Sequence, residues 1–185
     1  MQMSTVQQRG RVTFPEFTGE RVYMREFTKA AGLPPDLARW QPTVDAMLDG
    51  VDAPGSIFLM VDQSPVHAGT TQRRPGLHVD GYWNAADARH GGGHGGHKID
   101  GSATEALLLA SSVLGGCGYV GRFDGNPGDG GDCEHIGRDG LLRVDMEPGR
   151  VWAGHALRML HESVPVRRDA LRTLVRLNVA GWAPQ

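Results

Sequence analysis

From Cys117 to Val179 the chain is a succession of short apolar runs, CGYVGRF, LLRVDM, RVWAG, LRMLHESVPV and LRTLVRLNV, separated by Gly, Pro and Asp turns. Runs of this length between turn formers suit strands better than helices, which need roughly ten or more residues to bury a face. Five in succession, with no long helical pattern between them, predict antiparallel strands packed as a sandwich or barrel. The 27 glycines among 185 residues supply the turns that such a chain needs. No internal repeat is visible, and the length suits a single domain, residues 1–185.

Upstream, RVTF and RVYMREF read as short β pieces, and SIFLMVD and the segment ending in GLHVD as further strands. One helix is predicted in PPDLARWQPTVDAMLDG. Pro34 and Pro35 sit at its start, Leu37, Trp40, Val44 and Leu48 recur at helical spacing, and Gly50 closes it. SATEALLLASSVLGG admits two readings. Ser102 and Glu105 have capping-box spacing, while the apolar run before Gly115-Gly116 suits a buried strand. Residues 84–101, NAADARHGGGHGGHKIDG, read as a loop.

The net charge of -2, with Lys29 and Lys98 the only lysines, gives no broad cationic field, so nucleic acid is not indicated as a partner. Cys117 and Cys133 form neither a CxxC pair nor a disulfide framework and read as free thiols of a reducing compartment. MQMSTVQQRGRVTF lacks an apolar signal region, and ALLLASSVLGGCGYVG is broken before it could span a bilayer. A cytoplasmic chain without a membrane partner is expected.

Chemistry is concentrated at His78 and Asp80. In a strand, residues i and i+2 share a face, so this pair presents an imidazole beside a carboxylate. Two such ligands are most of a 2-His-1-carboxylate facial triad, which leaves coordination positions open on a non-haem Fe(II) and needs one more histidine from elsewhere. His161, in MLHESVPV, is the candidate, with His155 as the alternative.

These residues resemble the Fe(II)- and 2-oxoglutarate-dependent dioxygenases, whose pattern is His-x-Asp, a distal His, and a basic residue about ten positions later. Here His161 lies 81 residues after Asp80, and Arg172 lies 11 after His161. The tail HESVPVRRDALRTLVRLNV is similar to the prolyl-hydroxylase and phytanoyl-hydroxylase branches. The resemblance covers about residues 56–182 and implies a mainly β fold, a double-stranded β-helix (jelly roll, cupin-like) with a flanking N-terminal helix. It sets residues 1–55 as N-terminal support and residues 56–182 as the catalytic core, with TEALLLASSV a central strand.

It also implies Fe(II) held by His78, Asp80 and His161. Arg172 would pair with the distal carboxylate of 2-oxoglutarate, with Arg176, on the same face, in reserve. The implied reaction consumes O2 and 2-oxoglutarate, releases succinate and CO2, and hydroxylates a C–H bond of a small molecule or side chain.

Tyr82, Trp83 and Asn84 are expected to line the mouth. His90, His94 and His97 sit where glycines disfavour a helical zinc pair, so their loop reads as a lid. DGNPGDGGDCE lacks the glycine at position six of a calcium loop and has His135 at the twelfth, so it reads as turns. Two other readings stand beside the oxygenase: a metal-dependent cupin enzyme that does not use 2-oxoglutarate, and a jelly-roll binding or assembly protein such as a virion component.

Overall fold

The computed structural model describes residues 1–81 and 104–184. The expected loop and lid histidines, the mouth residues Tyr82, Trp83 and Asn84, and Ser102 of the capping box lie outside them. Ten strands follow in order: β1 (Gln2–Ser4), β2 (Gln7–Arg11), β3 (Arg21–Thr28), β4 (Ser56–Val66), β5 (Glu105–Ser111), β6 (Gly116–Phe123), β7 (Leu142–Asp145), β8 (Arg150–His155), β9 (His161–Ser163) and β10 (Ala170–Ala180). One short helix, α1 (Gln41–Met47), separates β3 from β4.

Two antiparallel sheets result. The larger runs β2-β8-β5-β10-β4-β3, and the smaller runs β1-β6-β7 with β9 also paired to β6. The extended segment around His78 pairs with β9 through a single bridge. From β4 onward the order β8-β5-β10-β4 in one sheet faces His78-segment, β9, β6, β7 in the other. A chain that crosses between sheets in this order is a double-stranded β-helix. β5 is a central strand, as the fold required, and β1, β2 and β3 extend the sheets at their edges.

Alternation along the strands divides the large sheet into two faces. Ile57, Leu59, Leu108, Val175 and Leu177 pack against Trp40, Val44, Met47 and Leu48 of the N-terminal layer. The other face carries Arg172, Leu174 and Arg176 of β10 toward a cavity between the sheets. Among the described residues no helix is long and apolar enough to cross a membrane.

Three expectations need local correction. The helix over PPDLARWQPTVDAMLDG is a 3-10 turn at Pro35–Trp40 followed by α1, because Pro42 has no N–H to continue a helical ladder and instead sits in the first turn of α1. RVTF is not a strand: β2 ends at Arg11, where Val12 turns in to donate to Gly149 O. GLHVD and LRMLHESVPV give only two isolated bridges, both at His78, and the three residues of β9. Their remaining backbone groups bond to loops, as when Val79 N donates to Gly131 O and Asp80 N to Ala156 O.

β9 and β1 share one edge of β6, pairing with Gly116–Gly118 and with Gly121–Phe123. Ser4 fills the gap between them. Its fully buried hydroxyl donates to Tyr119 O at 2.5 Å and accepts from Leu160 N at 3.0 Å. Ser4→Ala leaves two buried backbone groups short of a partner, so a loss of about 1–3 kcal/mol is expected in denaturant unfolding. An unchanged midpoint would show that this joint carries no load.

Candidate metal centre

His78 and His161 are directly opposed residues of an antiparallel pair. His78 N donates to His161 O at 2.9 Å, and His161 N donates to His78 O at 3.0 Å. Both rings therefore leave the backbone on the same side, with centroids 4.3 Å apart. His78 Nδ1 lies 2.7 Å from Gly76 O, and His161 Nδ1 lies 2.9 Å from Met159 O. A carbonyl oxygen can only accept, so each Nδ1 carries the proton and each Nε2 presents a lone pair to the same space.

Asp80 completes the set. Its Oδ1 is 3.9 Å from His78 Nε2, and its Oδ2 is 3.4 Å from His161 Nε2. One ligand atom from each residue fits within 4.8 Å of the others, a group unique among the described residues. Adjacent donors on one ion at about 2.1 Å would stand about 3 Å apart, so a small inward movement suffices. Two imidazoles and one carboxylate on one side of a cavity suit a non-haem divalent iron with open positions.

Electrostatics hold His78 and Asp80 in their ligating forms. Burial, reinforced by nearby His161, pushes the His78 pKa down to about 4, against the pull of Asp80. Burial alone would raise Asp80, but the Arg176 guanidinium outweighs it and holds the carboxyl well below its usual range. Arg176 NH1 is 2.9 Å from Asp80 Oδ2, and its NH2 donates to Asp80 O at 3.2 Å. Nε of the same guanidinium donates to Asn178 Oδ1 at 2.7 Å.

Arg172 differs. It is 3% exposed; Nε donates to Ser111 Oγ at 2.8 Å, and among the described residues it has no carboxylate within ion-pair distance and its buried NH1 has no hydrogen-bond partner. Burial, reinforced by Arg73 and against the pull of the Asp62 carboxylate, lowers its pKa to about 10, which leaves it cationic at neutral pH. A Cβ on Gly115 would lie 2.7 Å from its Cζ, so only glycine lets the guanidinium occupy this place. Triad, Arg172 and Arg176 all line one cavity of about 410 Å³.

His155 stands apart at the end of β8, where its Nδ1 accepts from Leu157 N at 3.2 Å. The 124–134 segment forms turns around a 3-10 turn at Asp129–Gly131, and Asp132 bridges to His78. Cys117 and Cys133 are free and buried.

Behind the donors lies a clamp that no local sequence pattern marks. Arg138 NH2 is 3.2 Å from Glu134 Oε1 and 3.3 Å from Glu162 Oε2, and its NH1 is 3.3 Å from Tyr119 Oη. Tyr119 Oη donates to Glu162, and Leu77 N donates to Glu134. One guanidinium thus ties the neighbour of His78 to the neighbour of His161. Charge complementarity over 24 positions of sequence separation, Arg138 to Glu162, has no local periodicity to reveal it.

No protein-family model and no curated protein matches the chain. Among solved structures, EvdO2 from Micromonospora carbonacea var. aurantiaca, complexed with 2-oxoglutarate, aligns at 14% identity and TM-score 0.43, over 95% of this chain and 77% of that one. AviO1 from Streptomyces viridochromogenes Tue57 aligns at 16% identity and TM-score 0.38, over 97% and 77%. The nickel complex of the non-heme monooxygenase ThoJ aligns at 16% and 0.36, over 78% and 53%. These likenesses are distant, and the fold assignment rests on the strand order.

The lowered pKa of His78 has a consequence for the metal-free chain. A folded pKa of about 4 against an unfolded value of 6.5 means that the unfolded chain binds more protons between them. Stability from this group is full above about pH 6.5 and falls as pH drops toward 4, by up to roughly 3 kcal/mol. Denaturant unfolding at pH 7 and pH 4.5 should show the loss in the parent and a smaller loss in His78→Gln. Equal losses in both would remove His78 as its source.

Proposed function

We propose that this chain is an Fe(II)- and 2-oxoglutarate-dependent oxygenase that hydroxylates a C–H bond. The observation that carries the reading is Arg172, a buried cation in the same cavity as the triad that, among the described residues, forms no ion pair with a carboxylate. A desolvated charge is costly unless an anion arrives to pair with it. A dicarboxylate whose 2-oxo acid end faces the triad and whose distal carboxylate meets the fork of Arg172 satisfies both features at once.

His78 Nε2, His161 Nε2 and one Asp80 oxygen would hold the ion. When bound, Fe(II) supplies the oxidative chemistry that couples O2 and 2-oxoglutarate to substrate, with the balance R–H + 2-oxoglutarate + O2 giving R–OH + succinate + CO2. The protein's part is placement and exclusion of water. Arg172 binds and orients the co-substrate, with Ser111 Oγ fixing the guanidinium at 2.8 Å. Arg176 holds Asp80 ionised and fixes its orientation through two contacts. Leu109, Met146 and Trp152 give the cavity apolar walls.

Arg172→Leu should leave metal affinity intact and weaken 2-oxoglutarate binding by roughly 2–5 kcal/mol in anaerobic calorimetry, the usual cost of truncating one partner of a buried charge pair. Arg172→Lys keeps charge but loses the fork and should do less damage. Normal 2-oxoglutarate binding by Arg172→Leu, with loss in Arg176→Leu, would move the anchor to Arg176. If neither change weakens it, the chain is a metal cupin of another kind.

A further inference from the structure

Four arginines line the cavity: Arg73, Arg74, Arg172 and Arg176. Two are neutralised, Arg73 at 3.5 Å from Asp62 Oδ2 and Arg176 at 2.9 Å from Asp80 Oδ2. Arg172 and Arg74 have no carboxylate within ion-pair distance among the described residues. The co-substrate accounts for Arg172. Arg74 is exposed at the rim, where NH1 donates to Gly130 O at 3.2 Å. Gly131, next to it, accepts from Val79 N, so Arg74 is tethered beside the segment that bears His78 and Asp80.

A second observation lies on β3. Its pairing with β4 slips between Val22, opposite Val61, and Arg25, opposite Leu59, so Tyr23 and Met24 together face Met60. In a regular strand one of two adjacent side chains would point away from the cavity. Here the bulge turns both to it. Met24 reaches this place at φ +44°, in the left-handed region where no other non-glycine residue among those described is found. Such strain persists where the surrounding structure enforces it, and it gathers at functional sites. Met24 is buried against Met60 and Leu174, while Tyr23 stays 41% exposed at the rim.

We infer that the substrate of this site is a small amphipathic anion, with its carboxylate or phosphate paired to Arg74 and its apolar body against Tyr23 and Met24. The inference rests on the oxygenase reading and adds the substrate class. A cavity of about 410 Å³ is of the size that takes small molecules whole, and it exceeds what a five-carbon dicarboxylate fills. The Arg74 guanidinium, without a carboxylate among the described residues, selects the head group, and the aromatic and thioether pair, adaptable in shape, receives the apolar part.

The test is anaerobic calorimetry on the full chain, loaded with Fe(II) and saturating 2-oxoglutarate. The probes are 3-phenylpropionate, phenyl phosphate and the neutral 3-phenylpropanamide. At least one anionic probe should bind ten-fold or more tightly than the amide, and the stronger of the two names the head group. Arg74→Gln should lose that preference with 2-oxoglutarate affinity unchanged, and Arg74→Lys should keep part of it. Met24→Gly, which suits the left-handed backbone, should weaken both anions about five-fold. Equal binding of amide and anions, rejection of all three probes, or an Arg74→Gln defect that falls on 2-oxoglutarate would each overturn the inference while the oxygenase reading stood. Failure to bind 2-oxoglutarate at all would remove the reading beneath it.

Discussion

Two backbone hydrogen bonds, exchanged between His78 and His161, are the constraint on which the site depends. They put two residues 83 positions apart into one opposed pair of the small sheet. Each imidazole is then tied by Nδ1 to the carbonyl two residues before it, so ring orientation and tautomer follow from backbone geometry alone. Asp80, two residues from His78, falls on the same side. The jelly roll brings two distant parts of the chain side by side, and the site arises where they meet.

Because that pairing is only one bridge long, it needs support from outside the ladder. Ser4 ties Tyr119 and Leu160 at one end, and Arg138 ties Glu134 to Glu162 behind the donors. The two arginines of β10 divide the remaining work. Arg176 is engaged by Asp80, where it keeps a half-buried carboxylate ionised; Arg172, which among the described residues forms no ion pair with a carboxylate, points its charge into the cavity. Four residues apart on one strand, they share a face yet do different chemistry, because the large sheet sets one opposite Ser64 and the other opposite Met60 and Leu109.

Much of the sandwich was legible because strand-length apolar runs and glycine turns are local signals: β4, β6 to β8 and β10 lie where those runs predicted them, while β5, which its own run left between helix and strand, is the strand that the resemblance implied. His78, Asp80, His161 and Arg172 could be named because their spacing resembles a known pattern, and the structure brings them to one cavity. What stayed hidden is non-local. Alternation puts Arg176 on the face of Arg172 but cannot say that Asp80 captures it. No periodicity marks the Arg138 clamp, and a bulge at Tyr23 and Met24 leaves no trace in RVYMREF. Pro42 was visible, yet helical spacing on both sides of it masked the break between the 3-10 turn and α1.

The most direct measurement is pulsed electron paramagnetic resonance of the full chain titrated with Mn(II), an open-shell stand-in for Fe(II). One ion should bind per chain, with nitrogen couplings from two imidazoles. His78→Gln and His161→Gln should each lose one coupling and most of the affinity, while His155→Gln should keep both. Absence of stoichiometric binding, or a spectrum that His155→Gln alters and His161→Gln leaves intact, would contradict the assignment of His78, Asp80 and His161 as the metal centre.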